Sequence, residues 1–293
     1  MPSLVRSACS FLFVPCTRPE RLPKALQSGA DMVIADWEDA VAPADKDRAR
    51  DALLQACAQL APAQCARLLV RINAADTAWH AQDVQALAQL VQRYGVAGVV
   101  LSKADSVAPI EAIGQAAGKA CAVLPLIESV AGLDAANELA KAPQVARLAF
   151  GHLDFQVDAG LQCGIEEEEL MTVRLALTLA SRRGQLAPPV DGVTVDTRDA
   201  GRVARDAQRA QRLGFGAKLC IHPLQVQHVH SVFAPTPQAV AQAQRVQAAM
   251  EAARGAVCVL DGRMVDAPVL HLAQQTLQRH AWALQRAAPT AGA

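Results

Sequence analysis

Residues 122–154, AVLPLIESVAGLDAANELAKAPQVARLAFGHLD, hold the unit that decides the fold. Ala122–Ile127 is a short apolar run that ends in Glu128-Ser129. Residues 132–140 carry helical periodicity, and residues 147–150 form a second apolar run ending in Gly151-His152-Leu153-Asp154. Short apolar runs separated by a helical stretch read as parallel strands whose sheet is covered on both faces. The same alternation extends both ways. Runs at 10–14, 32–35, 68–72 and 99–101 precede it, and runs at 190–193 and 218–221 follow. The run at 190–193 is the weakest, because Pro188-Pro189 precedes it and Asp191-Gly192 interrupts it. Helical patterns at 44–60, 83–93, 107–117, 170–183 and 200–213 fill the gaps, with Gly29, Gly95, Gly184 and Gly214 in helix C-cap positions. Eight strands alternating with helices predict an α/β fold, a (β/α)8 TIM barrel spanning residues 1–235. A doubly wound sheet is the competing fold, but no Gly-x-Gly-x-x-Gly follows the first run.

Residues 236–293 exceed what a barrel needs. Helical patterns at 237–253 and 268–286 flank a short apolar run at 256–260, and together they read as a C-terminal helical extension, a lid or an oligomer contact. The Ala/Pro/Gly-rich end from Ala287 reads as a frayed tail.

Composition narrows the function classes. The chain has 293 residues, 52% hydrophobic but only 3% aromatic, so its core is aliphatic. Lys plus Arg (28) balances Asp plus Glu (28), which argues against nucleic acid as a partner. No run reaches the roughly 18 apolar residues of a membrane span. Residues 8–16 faintly imitate a secretory leader but run into Thr17-Arg18-Pro19-Glu20-Arg21 without a small-residue cleavage site, and read as a buried first strand. The eight cysteines include no Cys-x-x-Cys pair and predict reduced thiols in a cytoplasmic protein.

In a TIM barrel, chemistry gathers where the strands end. Here the second run ends in Asp36-Trp37-Glu38-Asp39, the third in Arg71-Ile72-Asn73 and the fourth in Lys103. The fifth ends in Glu128, the sixth in Asp154 and the eighth in His222-Pro223. Any one of these carboxylates alone could simply cap a helix; five strand ends sharing the pattern points to a site. Glu128 and Asp154 end neighbouring strands, where two bare carboxylates would repel unless a divalent cation lay between them. Oxygen ligands without zinc spacing select Mg2+. Asp36, Glu38 and Asp39 are placed to hold the ion's waters. The competing reading pairs Glu128 and Asp154 with Arg71 and Lys103 as structural salt bridges. Arg71 offers a planar fork for a substrate carboxylate or enolate oxygen. Arg18, Arg21 and Lys24 cluster after the first strand, as phosphate ligands or as a solvated helix face. His222 reads as a packed, hydrogen-bonded histidine, and residues 166–169 (EEEE) as a solvated helix start.

Seven motifs then occur in order. They are Phe13-Val14-Pro15…Arg18-Pro19-Glu20-Arg21, Asp36-Trp37-Glu38-Asp39-Ala40-Val41 and Val70-Arg71-Ile72-Asn73, followed by Leu101-Ser102-Lys103-Ala104 and Leu126-Ile127-Glu128-Ser129. Phe150-Gly151-x-x-Asp154-Phe155 and Lys218-Leu219-Cys220-Ile221-His222-Pro223 complete the series. Across nearly the whole chain it resembles the citrate lyase β-subunit-like branch of the HpcH/HpaI aldolase superfamily. The resemblance implies a Mg2+-dependent carbon–carbon lyase acting on acyl-CoA thioesters such as malyl-CoA, citramalyl-CoA or citryl thioester. It also implies Glu128 and Asp154 as metal ligands, Arg71 as the substrate arginine, and a homo-oligomer, trimer or hexamer. Residues 261–266 (DGRMVD) look like the family's C-terminal motif, in which the carboxylate matching Asp266 comes from a neighbouring subunit as acid/base. Three departures stand near the site mouth: Cys16 for the usual Gly, Ser102 for Pro, and Leu153 beside His152 where Glu is usual. They bear on the substrate more than on the metal. The alternatives are a CoA-independent 2-oxo-acid aldolase, and a citrate lyase complex subunit or metabolite-binding scaffold. Asp266 itself has a plain structural alternative, as N-cap of the last helix ahead of Ala267-Pro268.

Overall fold

Eight parallel strands close on themselves in chain order, β1 meeting β8. They are β1 Ser10–Pro15, β2 Met32–Asp36, β3 Leu68–Ile72 and β4 Gly98–Leu101, then β5 Ala122–Ile127, β6 Ala149–Phe150, β7 Val190–Asp191 and β8 Ala217–Cys220. This is the expected (β/α)8 barrel, seen in a computed structural model that describes residues 4–287. The mostly apolar runs are strands because helices cover their outer face while side chains fill the inner one: every residue of β2, β3 and β4 is buried, Asp36 and Arg71 included. Phe11, Ile34, Leu69, Val100, Leu124 and Leu219 meet in the interior. The end of the sequence from residue 288, read above as a frayed tail, lies outside the described residues.

Register fixes which residues become neighbours. Pro15 pairs with Asp36, and Asp36 with Arg71, so a carboxylate and a guanidinium stand side by side at the ends of β2 and β3. Ile127 pairs with Phe150, which sets the following Glu128 beside Gly151.

Two local expectations are corrected. The seventh strand is only Val190–Asp191, and Asp191, read as an interruption of the run, is its last residue and a fully buried partner of Arg174, with Nε to Oδ1 at 2.9 Å. Gly29, Gly95 and Gly214 have the positive φ of C-caps (86°, 72° and 88°), whereas Gly184 has φ −79° and the left-handed residue is Gln185 at 54°. Gly184 is there for room instead, since a Cβ would lie 2.2 Å from the carbonyl oxygen of Ala140.

The chain divides into two compact units, Met1–Val229 and His230–Ala293, against an expected boundary at 235/236. The second unit holds helices Pro237–Ala252 and Ala267–Ala287 and a hairpin of β9 Cys258–Leu260 with β10 Arg263–Val265. Its core gathers Val246, Met250, Val265 and Ala273. The hairpin was read from sequence as one apolar run. Asp261-Gly262, with φ of 50° and 74°, makes the left-handed two-residue turn that Asp-Gly favours between strands. Among the described residues no helix is long and apolar enough to cross a membrane. All eight cysteines are free thiols.

Candidate active site

A cavity of about 430 Å³ opens at the C-terminal ends of the strands, lined by Asp36, Asp39, Arg71, Glu128 and Asp154 among others. The structure thus brings together five residues named from sequence alone.

Arg71 organises one side. Its Nε and Nη2 donate to the two carboxylate oxygens of Asp36 at 2.8 and 2.6 Å, a bidentate fork. Nη1 lies 2.7 Å from Glu38 Oε2 and 3.2 Å from Asp39 Oδ2, and the guanidinium sits 4.9 Å from the centre of the Phe13 ring. These surroundings hold Arg71 fully charged: burial opposes the charge, and Asp36, Glu38 and Asp39 more than offset it.

The loop carrying those carboxylates is anchored from beneath. Lys46 is buried and donates from Nζ to the carbonyls of Trp37 (2.7 Å) and Glu38 (2.8 Å) and to Asn73 Oδ1 (2.6 Å). Asn73 in turn donates to Asp83, which Arg50 clamps at 2.6 Å. Sequence reading named Asn73 as a strand end but missed Lys46, Asp83 and Arg50. Their only sequence signal is polarity on the inner side of two helices, at positions 46, 50 and 83, where apolar residues would be the default.

Glu128 stands on the other side, buried, with Oε1 accepting from the backbone N–H of Lys103 at 2.6 Å. Lys103 reaches that position with φ of 48°, and its side chain is exposed. Among the described residues no cation pairs with Glu128 or Asp154, so the salt-bridge alternative with Arg71 and Lys103 does not hold. Burial pushes the Glu128 carboxyl up to about 8, helped by the nearby Glu38 and Asp154 carboxylates. Glu38 is pushed up to about 7, by burial first and then by Asp39 and Asp36, against the pull of Arg71. Asp154 lies in the first turn of helix His152–Asp158 and is exposed. Five carboxylates therefore face one guanidinium, with Glu128 Oε2 accepting no hydrogen bond from any described residue. This all-oxygen, over-negative donor set fits a hard divalent cation. Asp36 has both oxygens occupied by Arg71 and by the Glu38 N–H (2.9 Å), so it holds Arg71, while Glu38 and Asp39 keep capacity for waters.

Residues 166–169 are not simply a solvated helix start. Glu167 (φ 48°) turns inward, where it pairs with Arg174, with Arg209 at 2.9 Å and with His152 Nε2 at 3.3 Å. Burial works against its charge, but His152 and Arg174 hold its carboxyl well below the usual range. Four consecutive glutamates hid the one that matters, because composition carries no sign of which faces in. His222 is half-buried, its Nδ1 accepting from Leu224 N at 3.2 Å.

Arg18, Arg21 and Lys24 do not line the cavity. They are exposed on the turn Pro19–Arg21 and helix Leu22–Gln27, with Arg18 3.8 Å from Glu20. Asp266, in the second unit, caps helix Ala267–Ala287 by accepting from Val269 N at 3.2 Å.

Known proteins share this architecture. The citrate lyase subunit beta-like protein of Mycobacterium tuberculosis is 36% identical over 275 residues, 92% of this chain and 94% of that protein. The L-malyl-CoA/beta-methylmalyl-CoA lyase of Cereibacter sphaeroides is 33% identical over 287 residues, 87% of this chain and 89% of that protein. The crystal structure of protein CitE from M. tuberculosis with magnesium, acetoacetate and coenzyme A matches with a TM-score of 0.80 at 34% identity, covering 94% of this chain and 99% of that one. Residues 9–223, nearly the whole barrel with its acidic mouth, match the HpcH/HpaI aldolase/citrate lyase family. The chain belongs to that family and is an enzyme of the aldolase/citrate lyase type.

Proposed function

We propose that this chain is a Mg2+-dependent carbon–carbon lyase of the cytoplasm. It would cleave, or in reverse build, a 3-hydroxyacyl-CoA thioester of the malyl-, citramalyl- or citryl-CoA kind, giving a 2-oxo acid and acetyl-CoA. The carrying observation is Glu128: a buried carboxylate without a cationic partner, next to Asp154 and Glu38, at the mouth of a barrel. The CoA- and magnesium-bound relative supports the same reading.

Cleavage breaks the C2–C3 bond. The 3-hydroxyl loses its proton and becomes the carbonyl of the 2-oxo acid, while the bonding pair passes to the thioester enolate, which takes a proton at C2. Glu128 and Asp154 would hold the ion, with Glu38 and Asp39 on its waters. When bound, Mg2+ supplies the Lewis acid that draws charge from the oxo-acid oxygens. Arg71, locked by Asp36, presents a fixed positive charge to the oxo-acid end. Lys103, whose backbone N–H holds Glu128, would be a further substrate contact, and Arg18, Arg21 and Lys24 would take the CoA phosphates. Asp266 would exchange the proton at C2, supplied by a neighbouring subunit of a trimer or hexamer.

The test is direct. Purified protein with Mg2+ is mixed with malyl-, citramalyl- and citryl-CoA, and release of the 2-oxo acid is followed. Failure with all three sinks the reading, and equal cleavage of the free acids would replace it with a CoA-independent aldolase.

A further inference from the structure

Three of the four consecutive glutamates 166–169 have work within the chain. Glu166 lies 3.7 Å from Arg202, Glu167 turns inward to Arg174 and Arg209, and Glu169 accepts from the Gly164 N–H at 3.2 Å. Glu168 is exposed, and its carboxylate meets no cation or donor among the described residues. The far end of the following helix, Met171–Arg183, repeats the situation with opposite sign. Arg183 donates to Asn137 Oδ1 at 3.0 Å, whereas Arg182 is exposed and its guanidinium meets no acceptor among the described residues.

The helix between these two charges is apolar on both sides. Val173, Leu177 and Ala180 are buried on the inner side, and Met171, Leu175 and Leu179 stand 45%, 48% and 43% exposed on the outer one. Single exposed apolar residues are ordinary, but three at four-residue spacing make one stripe. At about 3.6 residues per turn, positions 168, 171, 175, 179 and 182 share one side of the helix. Glu, Met, Leu, Leu and Arg follow at spacings of three, four, four and three residues, symmetric about Leu175.

That symmetry selects an occupant. Laid antiparallel on the same helix of a second copy, with the twofold axis at Leu175, the stripe sets Leu175 on Leu175 and Met171 on Leu179. Glu168 then meets Arg182, and by symmetry this pair forms twice. A parallel pairing would bring Glu168 to Glu168 and Arg182 to Arg182. We infer that the outer face of helix Met171–Arg183 is a self-association surface, seating the same helix of a second copy antiparallel across a twofold axis. The apolar centre supplies attraction and the end charges fix the direction. None of these five residues lines the cavity, so the inference stands apart from the lyase reading. It makes the number of copies even: two, or six where threefold contacts are present as well.

Sedimentation of the full chain should give a mass of an even number of copies. Leu175→Glu puts two carboxylates face to face on the axis, at a side chain already half in solvent. It should halve that mass and leave the circular dichroism spectrum unchanged. Glu168→Arg or Arg182→Glu alone should weaken association about tenfold at low salt, and the double variant should restore it, because opposite charges meet again. Leu175→Cys, which leaves the rest of the stripe intact, should form a disulfide between the two substituted positions under mild oxidation, identified by mass spectrometry. An odd number of copies in the wild type, an unchanged mass in folded Leu175→Glu, a double charge variant no better than the single ones, or no symmetric cross-link overturns the inference.

Discussion

Gly151 lies so close to Glu128 that a Cβ on it would come within 2.6 Å of Glu128 Oε2 and 2.7 Å of Glu128 Cβ. The glycine gives the carboxylate its place. Gly151→Ala should therefore push Glu128 aside at a stability cost of about 1–3 kcal/mol. Mg2+ affinity should fall at least tenfold. Thermal melts and Mg2+ titration of the variant check both numbers; unchanged affinity would mean Glu128 is not a ligand.

Glu128→Ala and Asp154→Ala should each abolish Mg2+ binding and leave the fold intact, because each removes a carboxylate from an over-negative cluster. Calorimetry is the check, and retained binding in either variant refutes the ligand pair.

Glu38 and Glu128 set a pH dependence, at about 7 and about 8 against an ordinary 4.5. Raised carboxyls keep protons in the folded state that the unfolded chain has already released. Stability of the Mg2+-free protein should therefore fall as pH rises from about 4.5 toward 8. Mg2+ must displace those protons, so its affinity should climb over the upper part of that range. Titrations at pH 7 in buffers of different ionisation enthalpy should register proton release; identical heats would contradict the assignment.

Charge reversal at Arg18, Arg21 and Lys24 should raise KM for the CoA substrate in a salt-dependent way and leave binding of the free 2-oxo acid unchanged. Equal loss for both ligands would assign the cluster to the fold instead.

Asp266→Asn keeps the cap on Val269 N, since Asn accepts that bond as well as Asp does, but it cannot shuttle a proton. Stability should hold while kcat falls by on the order of 100-fold. If the carboxylate acts across subunits, mixing Asp266→Asn with Glu128→Ala protein should restore part of the activity. Full activity in Asp266→Asn alone would leave the residue a helix cap.

The barrel was legible because each strand is a short apolar run with both faces covered, and because its site residues stand at the ends of those runs. Asp36, Arg71, Glu128 and Asp154 needed nothing more than that geometry. What stayed hidden depends on side-chain direction. Lys46 and Asp83 look like ordinary helix-surface charges until the loop after β2 is seen to hang on them. Glu167 is indistinguishable from its exposed neighbours until its backbone turns left-handed. The β9–β10 hairpin was readable from Asp261-Gly262, a turn signal overshadowed by its likeness to a family motif.

Arg71 meets the cavity with its positive charge already answered. Asp36 and Glu38 answer it from inside, with side chains 3% and 10% exposed, whereas Asp39 does so from the rim, 65% exposed and at the longest distance of the three. A carboxylate brought to Arg71 would take over from Asp39, so binding there would be an exchange of one anion for another. Its net gain is small, and departure is correspondingly easy, because Asp39 is at hand to resume its place. An arginine kept occupied in this way would favour turnover over tight holding.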